Sequence, residues 1–321
     1  MQPIQGIHHI TAFAGDPQAN VDFYRTVLGQ RLVKTTVNFD DPGTYHFYYG
    51  DQIGTPGTIM TYFPWPQGRR GVRGNGEIGA VGYTISPGSV GYWQERLKAM
   101  GLPVSNIETR FGAEVLPLRD PDGVALELIA HDGPASIEPW PAGPIPAEHA
   151  LRGFHGVTLW LAEAEPTAAL LTEQMGYELV GQEDNRWRFA AAGNDIGLFV
   201  DILVDPERPR GRMGTGSVHH VAFRTRDDDE QLAYQQLLAQ NGFGVTEVKD
   251  RQYFHSIYFR SPGGVLFEIA TDAPGFALDE PVETLGERLK LPPWLERQRD
   301  NIESILPEFT LKPIEKEMAY V

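Results

Sequence analysis

Ile7-His8-His9-Ile10-Thr11 and Val218-His219-His220-Val221-Ala222 carry the same histidine doublet in an apolar, β-branched setting, and each reads as the start of a strand. Two further segments occupy the same place without the doublet, Ile78-Gly79-Ala80-Val81 and Phe154-His155-Gly156-Val157. After each comes a run with apolar residues at helical spacing, for example Val21, Tyr24, Val27 and Leu28. Comparable helical runs cover residues 93–100, 170–175 and 232–238. The helices stop at Leu28-Gly29, Met100-Gly101, Met175-Gly176 and Asn241-Gly242, where glycine supplies the left-handed cap. His9, Ala80, Gly156 and His220 each precede their capping glycine by 20 to 22 residues, a regularity that marks an internal repeat.

The exits from the repeat align as well. Thr55-Pro56-Gly57, Asp120-Pro121-Asp122-Gly123 and Ser261-Pro262-Gly263-Gly264 are turns, and the third unit uses Gly193-Asn194-Asp195. Apolar strands follow, with Tyr62, Glu127, Asp201 and Glu268 at equivalent positions. Each unit therefore reads as a βαβββ module, and four of them fill residues 5–272 of the 321. The expected organisation is a first half at 5–132, a Pro-rich linker at 133–150, a second half at 151–272 and a tail at 273–321. Helices are expected in the tail at 282–289 and from Pro292-Pro293 to Ile305. The fold class is α+β, with the tail packed on the barrels or on a partner subunit.

The first positions of the modules hold His9, Ala80, Gly156 and His220; the exit positions hold Tyr62, Glu127, Asp201 and Glu268. If two modules curl around one cleft, only pairing the first with the fourth yields two imidazoles and one carboxylate: His9, His220 and Glu268, with Tyr62 in the fourth place. Two His and one carboxylate are the facial triad of non-haem Fe(II) sites, which leaves positions open for substrate and O₂. An acid inside an apolar run is costly unless paired or metal-bound, which favours Glu268 as a ligand. Glu127 and Asp201 face the same cost without histidines and are expected to pair with arginine. His155 aligns with the first residue of the doublet and reads as structural. Because neighbouring strand residues face opposite sides, His8 and His219 should point away from His9 and His220.

Composition narrows the alternatives. A formal charge of −16 argues against nucleic acid and anionic membrane surfaces as partners. No cysteine is present, which removes disulfides, thiolate metal sites and cysteine nucleophiles. The N-terminus lacks a basic and an apolar leader region, and no apolar run reaches membrane-spanning length, so a soluble, cytoplasmic protein is expected. A homodimer is the default assembly.

These residues resemble the vicinal oxygen chelate superfamily of glyoxalase I, bleomycin-resistance proteins and extradiol dioxygenases. More narrowly they resemble the hydroquinone ring-cleaving dioxygenases, a group that includes 2,6-dichlorohydroquinone 1,2-dioxygenases. The pieces that carry this are Ile7–Thr11, Arg31–Lys34, Gly54–Thr58, Arg152-Gly153-Phe154-His155, His219–Phe223 and Pro262–Glu268. The resemblance implies two cupped mixed sheets with module one beside four and two beside three. It implies Fe(II) on His9, His220 and Glu268, with Thr11, His8, His219, Arg251 and Tyr258 around it. The implied reaction is cleavage of a small hydroquinone-type diol with insertion of both atoms of O₂. Two other readings stand beside it: a glyoxalase-like isomerase or lyase, which needs a fourth protein ligand, and a metal-free binding or resistance protein, which needs no His/His/Glu set.

Overall fold

The structure, a computed structural model, describes residues 2–133, 137–193 and 196–314. Four βαβββ modules follow one another. The first comprises β1 (Ile7–Ala14), α1 (Pro17–Asp22), β2 (Arg31–Asn38), β3 (Asp41–Gly50) and β4 (Ile59–Pro64). The second comprises β5 (Glu77–Ile85), α2 (Val90–Ala99), β6 (Glu108–Arg110), β7 (Ala113–Arg119) and β8 (Ala125–Ala130). The third comprises β9 (Phe154–Leu161), α3 (Glu165–Ala169), β10 (Glu178–Glu183), β11 (Arg186–Ala190) and β12 (Phe199–Val204). The fourth comprises β13 (Val218–Thr225), α4 (Asp228–Gln240), β14 (Lys249–Asp250), β15 (His255–Arg260) and β16 (Leu266–Thr271).

The glycine stops behave as the sequence implies. Gly29, Gly101, Gly176 and Gly242 have φ of 69°, 69°, 75° and 84°, a region open to glycine and strained for other residues. Helices α1 and α3 run into wide π turns just before their caps, with Leu28 N–H donating to Phe23 C=O and Met175 N–H to Leu170 C=O. Asn194 and Asp195, assigned to the third exit turn, lie outside the described residues, as does Pro134 of the Pro-rich stretch.

Two eight-stranded mixed sheets result. One has the order β14-β15-β16-β13-β1-β4-β3-β2, which sets module four beside module one; the other, β10-β11-β12-β9-β5-β8-β7-β6, sets three beside two. Within a module the first strand pairs in parallel with the last, across the helical crossover, and between modules first strands pair antiparallel. Strand alternation then sorts the side chains. Ile10, Ala12, Val221, Phe223, Phe267 and Ile269 enter the main core, while His9, Thr11 and Glu268 face the concave side.

The tail departs from expectation. Residues 282–289 form one 3₁₀ turn (Val282–Thr284), then turns and bends that end in a single bridge from Leu289 to Thr35 of β2, instead of forming a helix. Gly286 fits tightly against the Leu32 carbonyl, Thr35 Oγ1 donates to Gly286 C=O, and Lys290 N–H donates to Thr35 C=O, so an open sheet edge captures the chain. The second tail helix is short, α5 at Arg299–Ile305, after a 3₁₀ turn at Glu296–Gln298. Leu291, Leu295, Ile302 and Leu306 close over Val37, and Phe276 and Leu285 pack with Tyr48 and Phe254 behind the concave face. The tail thus packs on the first sheet.

Candidate metal centre and active site

Glu268 Oε2 lies 2.9 Å from His220 Nε2 and 3.4 Å from His9 Nε2, and the two Nε2 atoms are 3.3 Å apart. All three side chains are buried. Ligands bound at about 2.1 Å and at right angles on one ion stand about 3 Å apart, so this spacing suits three cis donors. Oε2 is buried without a hydrogen bond, whereas Oε1 accepts one from Ser256 Oγ. Burial works against the Glu268 charge, but His9 and His220 outweigh it and hold the carboxyl well below its ordinary range. Burial lowers His220 as well, leaving a neutral imidazole. An ionised carboxylate beside a neutral imidazole is what a divalent cation requires.

Both histidine doublets sit on β-bulges. Opposite β13, β1 steps from Ile7 to His9 while its partner moves one residue, and β13 does the same at His219 between Val218 and His220. The strict alternation expected for His8 and His219 is therefore broken. His8 Nδ1 meets His9 Nδ1 at 2.9 Å, and His219 Nδ1 meets His220 Nδ1 at 2.9 Å. With both Nε2 lone pairs turned to the centre, His9 and His220 carry their protons on Nδ1 and donate them to His8 and His219. Burial keeps both acceptors neutral: His8 is pushed well down, and His219 to about 3. His219 lines the cavity beside His220 rather than facing away.

The centre opens into a cavity of about 220 Å³ walled by Phe39, Phe63, Phe254 and Leu266, with Tyr48, Tyr258, Arg251, His46 and His219 among its polar groups. Phe254 stacks against His9 with ring centroids 4.9 Å apart. Arg251 Nε donates to Tyr258 OH at 3.1 Å, and Arg251 Nη1 pairs with Asp40 Oδ2 at 2.9 Å across the mouth. Burial, followed by the nearby Glu268, raises the Tyr258 phenol well above its usual range, so it is a donor at neutral pH.

The fourth position holds Thr61, not Tyr62. Parallel pairing sets Ala222 opposite Glu268, Gly82 opposite Glu127, Thr158 opposite Asp201 and Thr11 opposite Thr61. Tyr62 is one residue further and so faces the core, where its OH donates to Asp120 Oδ2 at 2.9 Å. Thr61 Oγ1 donates to Thr11 Oγ1 at 2.8 Å and lies 2.8 Å from His46 Nε2, whose Nδ1 meets Tyr48 OH at 2.8 Å. Thr11 is thus two residues from His9 on the same face, and it touches Thr61. Sequence reasoning missed His46, Tyr48, Ser256 and Asp40. The signal was present for two of them: alternation along Tyr45-His46-Phe47-Tyr48-Tyr49 puts 46 and 48 on one face, and Tyr48 stands opposite Thr61 as Tyr258 stands opposite Glu268.

In the other sheet the equivalent acids are neutralised by arginine. Arg110 Nη1 reaches both Glu127 oxygens at 2.9 Å, and Arg188 binds Asp201 through Nε and Nη2 at 2.8 and 2.9 Å. His155 is buried and stacked on Phe199. Among the described residues, His9, His220 and Glu268 form the one group of three or more His, Asp or Glu that could hold an ion.

Residues 6–128 and 153–269 match the family model of the Glyoxalase/Bleomycin resistance protein/Dioxygenase superfamily. The chain belongs to that superfamily. A Bacillus subtilis relative provisionally named ring-cleaving dioxygenase MhqO is 48% identical over 311 residues, covering 97% of this chain and 98% of its own. The chlorohydroquinone/hydroquinone 1,2-dioxygenase of Sphingobium indicum is 39% identical over 307 residues, covering 93% and 95%. The crystal structure of a provisionally named dioxygenase from Bacillus subtilis superposes with a TM-score of 0.94 at 46% identity, covering 98% of this chain and 100% of that one. Glyoxalase I from Zea mays shares the fold, with a TM-score of 0.62 at 16% identity over 88% of this chain and 97% of its own. No helix among the described residues is long and apolar enough to cross a membrane.

Proposed function

We propose that this superfamily member is an Fe(II)-dependent ring-cleaving dioxygenase acting on hydroquinone-type diols, with His9, His220 and Glu268 as the metal ligands. The observation that carries the reading is the convergence of three buried donors, and only three among the described residues, at the floor of an aromatic-walled cavity. A four-ligand isomerase would need a strong donor at Thr61, where a hydroxyl is instead committed to Thr11 and His46. The names of the relatives at 39–48% identity support ring cleavage as the reaction class and hydroquinones as the substrate class.

When bound, Fe(II) supplies open coordination positions and a path for electrons from ring to O₂. The chain's own groups do the rest. Phe254, Phe63 and Phe39 hold the flat ring and exclude water. Tyr258 donates a hydrogen bond to a substrate or oxygen atom above Glu268, and the fixed Arg251 charge behind it stabilises negative charge that develops there. His219, neutral and accepting at Nδ1 from His220, carries its proton on Nε2 and can donate a hydrogen bond to a substrate or oxygen atom in the cavity. His8 and His219 position the ligand imidazoles through their Nδ1 contacts. Both oxygen atoms of O₂ end in the ring-opened product.

The test is anaerobic loading with Fe(II), followed by O₂ uptake with hydroquinone and, separately, catechol. One O₂ consumed per ring, with loss of the aromatic absorbance, is the expected result for hydroquinone. Protein holding one Fe(II) per chain that consumes no O₂ with either diol overturns the reading.

A further inference from the structure

The second sheet carries a cleft of its own. Its cavity is about 430 Å³, roughly twice that at the metal centre and within the size range of small-molecule sites, about 300–1,000 Å³. The internal repeat relates the two clefts residue by residue. Pro117 stands opposite Glu127 as Tyr258 stands opposite Glu268, and Ala80 takes the place of a ligand histidine. Chemistry differs where the repeat is the same: guanidinium groups, not imidazoles, gather around the acids.

Those groups are in excess. Arg110, Arg186 and Arg188 face a buried carboxylate, Asp201, and a half-buried one, Glu127; the third acid, Glu108, is 54% exposed at the rim. A third, half-buried guanidinium in a chain of formal charge −16 is an unusual local choice. Asp201 is already held in bidentate fashion by Arg188, so Arg186 adds only a single Nη1 contact to it at 3.0 Å and another to Thr158 Oγ1 at 2.9 Å. Arg186 Nε and Nη2 have no protein acceptor among the described residues. Burial and the neighbouring Arg110 lower the pKa of Arg186, the direction expected of a cation short of counter-charge. Ala80, Leu102, Leu118 and Trp160 give the cavity an apolar wall, and Glu108, Arg119 and Glu127 line it as well.

The geometry points to a second, metal-free binding site in this cleft for a small apolar carboxylate, anchored on Arg186 with its hydrocarbon part against Leu118 and Trp160. A planar two-oxygen anion matches the paired Nε and Nη2 donors that Arg186 leaves open. The site is independent of the metal centre and does not rest on the reaction proposed there.

The experiment is a titration of the full chain with sodium benzoate, read at the Trp160 indole N–H resonance (assigned by Trp160→Phe). Benzamide, the neutral isostere, is the parallel arm. A saturable shift with benzoate and none with benzamide is expected. Arg186→Gln should weaken benzoate binding about tenfold or more, the scale of one charge-assisted hydrogen bond. Ala125→Phe, which adds bulk to the cleft and leaves Arg186 in place, should abolish it and keeps the test valid if Arg186→Gln fails to fold. No saturable shift in the wild type, equal shifts with benzamide, or undiminished binding in Ala125→Phe would each overturn the proposal.

Discussion

Glu268 sits between Phe267 and Ile269, and an ionised carboxylate there is costly without a cation, on the order of several kcal/mol. In the metal-free form His9 and His220 offset that cost and hold the carboxyl well below its ordinary range, so Glu268→Gln should lower the urea midpoint. In the presence of Fe(II) the wild type should gain stability and the variant should not, because one of three ligands is gone. Metal content after gel filtration reads the same loss directly, and a variant that keeps one Fe(II) per chain and full turnover would remove Glu268 from the ligand set. Tyr258→Phe should spare metal binding and lower kcat about a hundredfold, the scale of a lost donor to developing charge. Steady-state O₂ uptake measures it, and an unchanged kcat would reduce Tyr258 to packing. Thr61 offers the converse change. Thr61→Glu restores a carboxylate opposite Thr11 and should tighten metal binding while suppressing O₂ uptake, since it fills a position the substrate needs. Of these residues, the convergence of His9, His220 and Glu268 was legible in the sequence because the repeat shows which positions align. Thr61 was not, because a register error of one residue moves every side chain to the other face.

At the scale of elements, the four modules were readable because each helix ends on glycine at a near-constant distance from its entering strand. The bulges were not, since an alternation of period two is blind to an inserted residue, and this is why His219 was expected on the wrong side. The tail was misread for another reason. Its course depends on Lys34, a fully buried cation on β2 that pairs with Asp279 and Glu280 and lies over the Tyr253 ring at 4.9 Å. A tertiary ion cluster overrides local propensity and leaves no periodic trace. Lys34→Met strips both acids of their cation and should destabilise by roughly 3–5 kcal/mol. The triple change Lys34→Met, Asp279→Asn, Glu280→Gln should recover most of that loss. Urea unfolding of the three proteins tests it, and equal midpoints for wild type and Lys34→Met would show that the cluster does not hold the tail.

Across the whole molecule, the two sheets meet where Tyr24 and Tyr62 of the first module reach Asp120, in the β7–β8 turn of the second. Asp120 Oδ1 accepts from the backbone N–H groups of Asp122 and Val124, and Oδ2 from Tyr62 OH. Burial outweighs these donors and pushes the Asp120 carboxyl up from 3.8 to about 6. The folded state then binds a proton that the unfolded chain releases between about pH 4 and 6. Stability from this group is fully present below the unfolded value and is lost as pH rises through 6. A shift of about two units corresponds to roughly 3 kcal/mol at most. Asp120→Asn keeps the oxygen that accepts from the backbone and removes the charge, so the variant should exceed the wild type in stability at pH 7.5, lose about half of that advantage by pH 5 and lose the rest only below about pH 4. The difference between the two proteins cancels the contribution of every group they share and isolates Asp120. A wild-type-minus-variant stability that stays flat from pH 5 to 7.5 would mean that Asp120 is ionised throughout, and that the contact between the sheets carries its charge without cost.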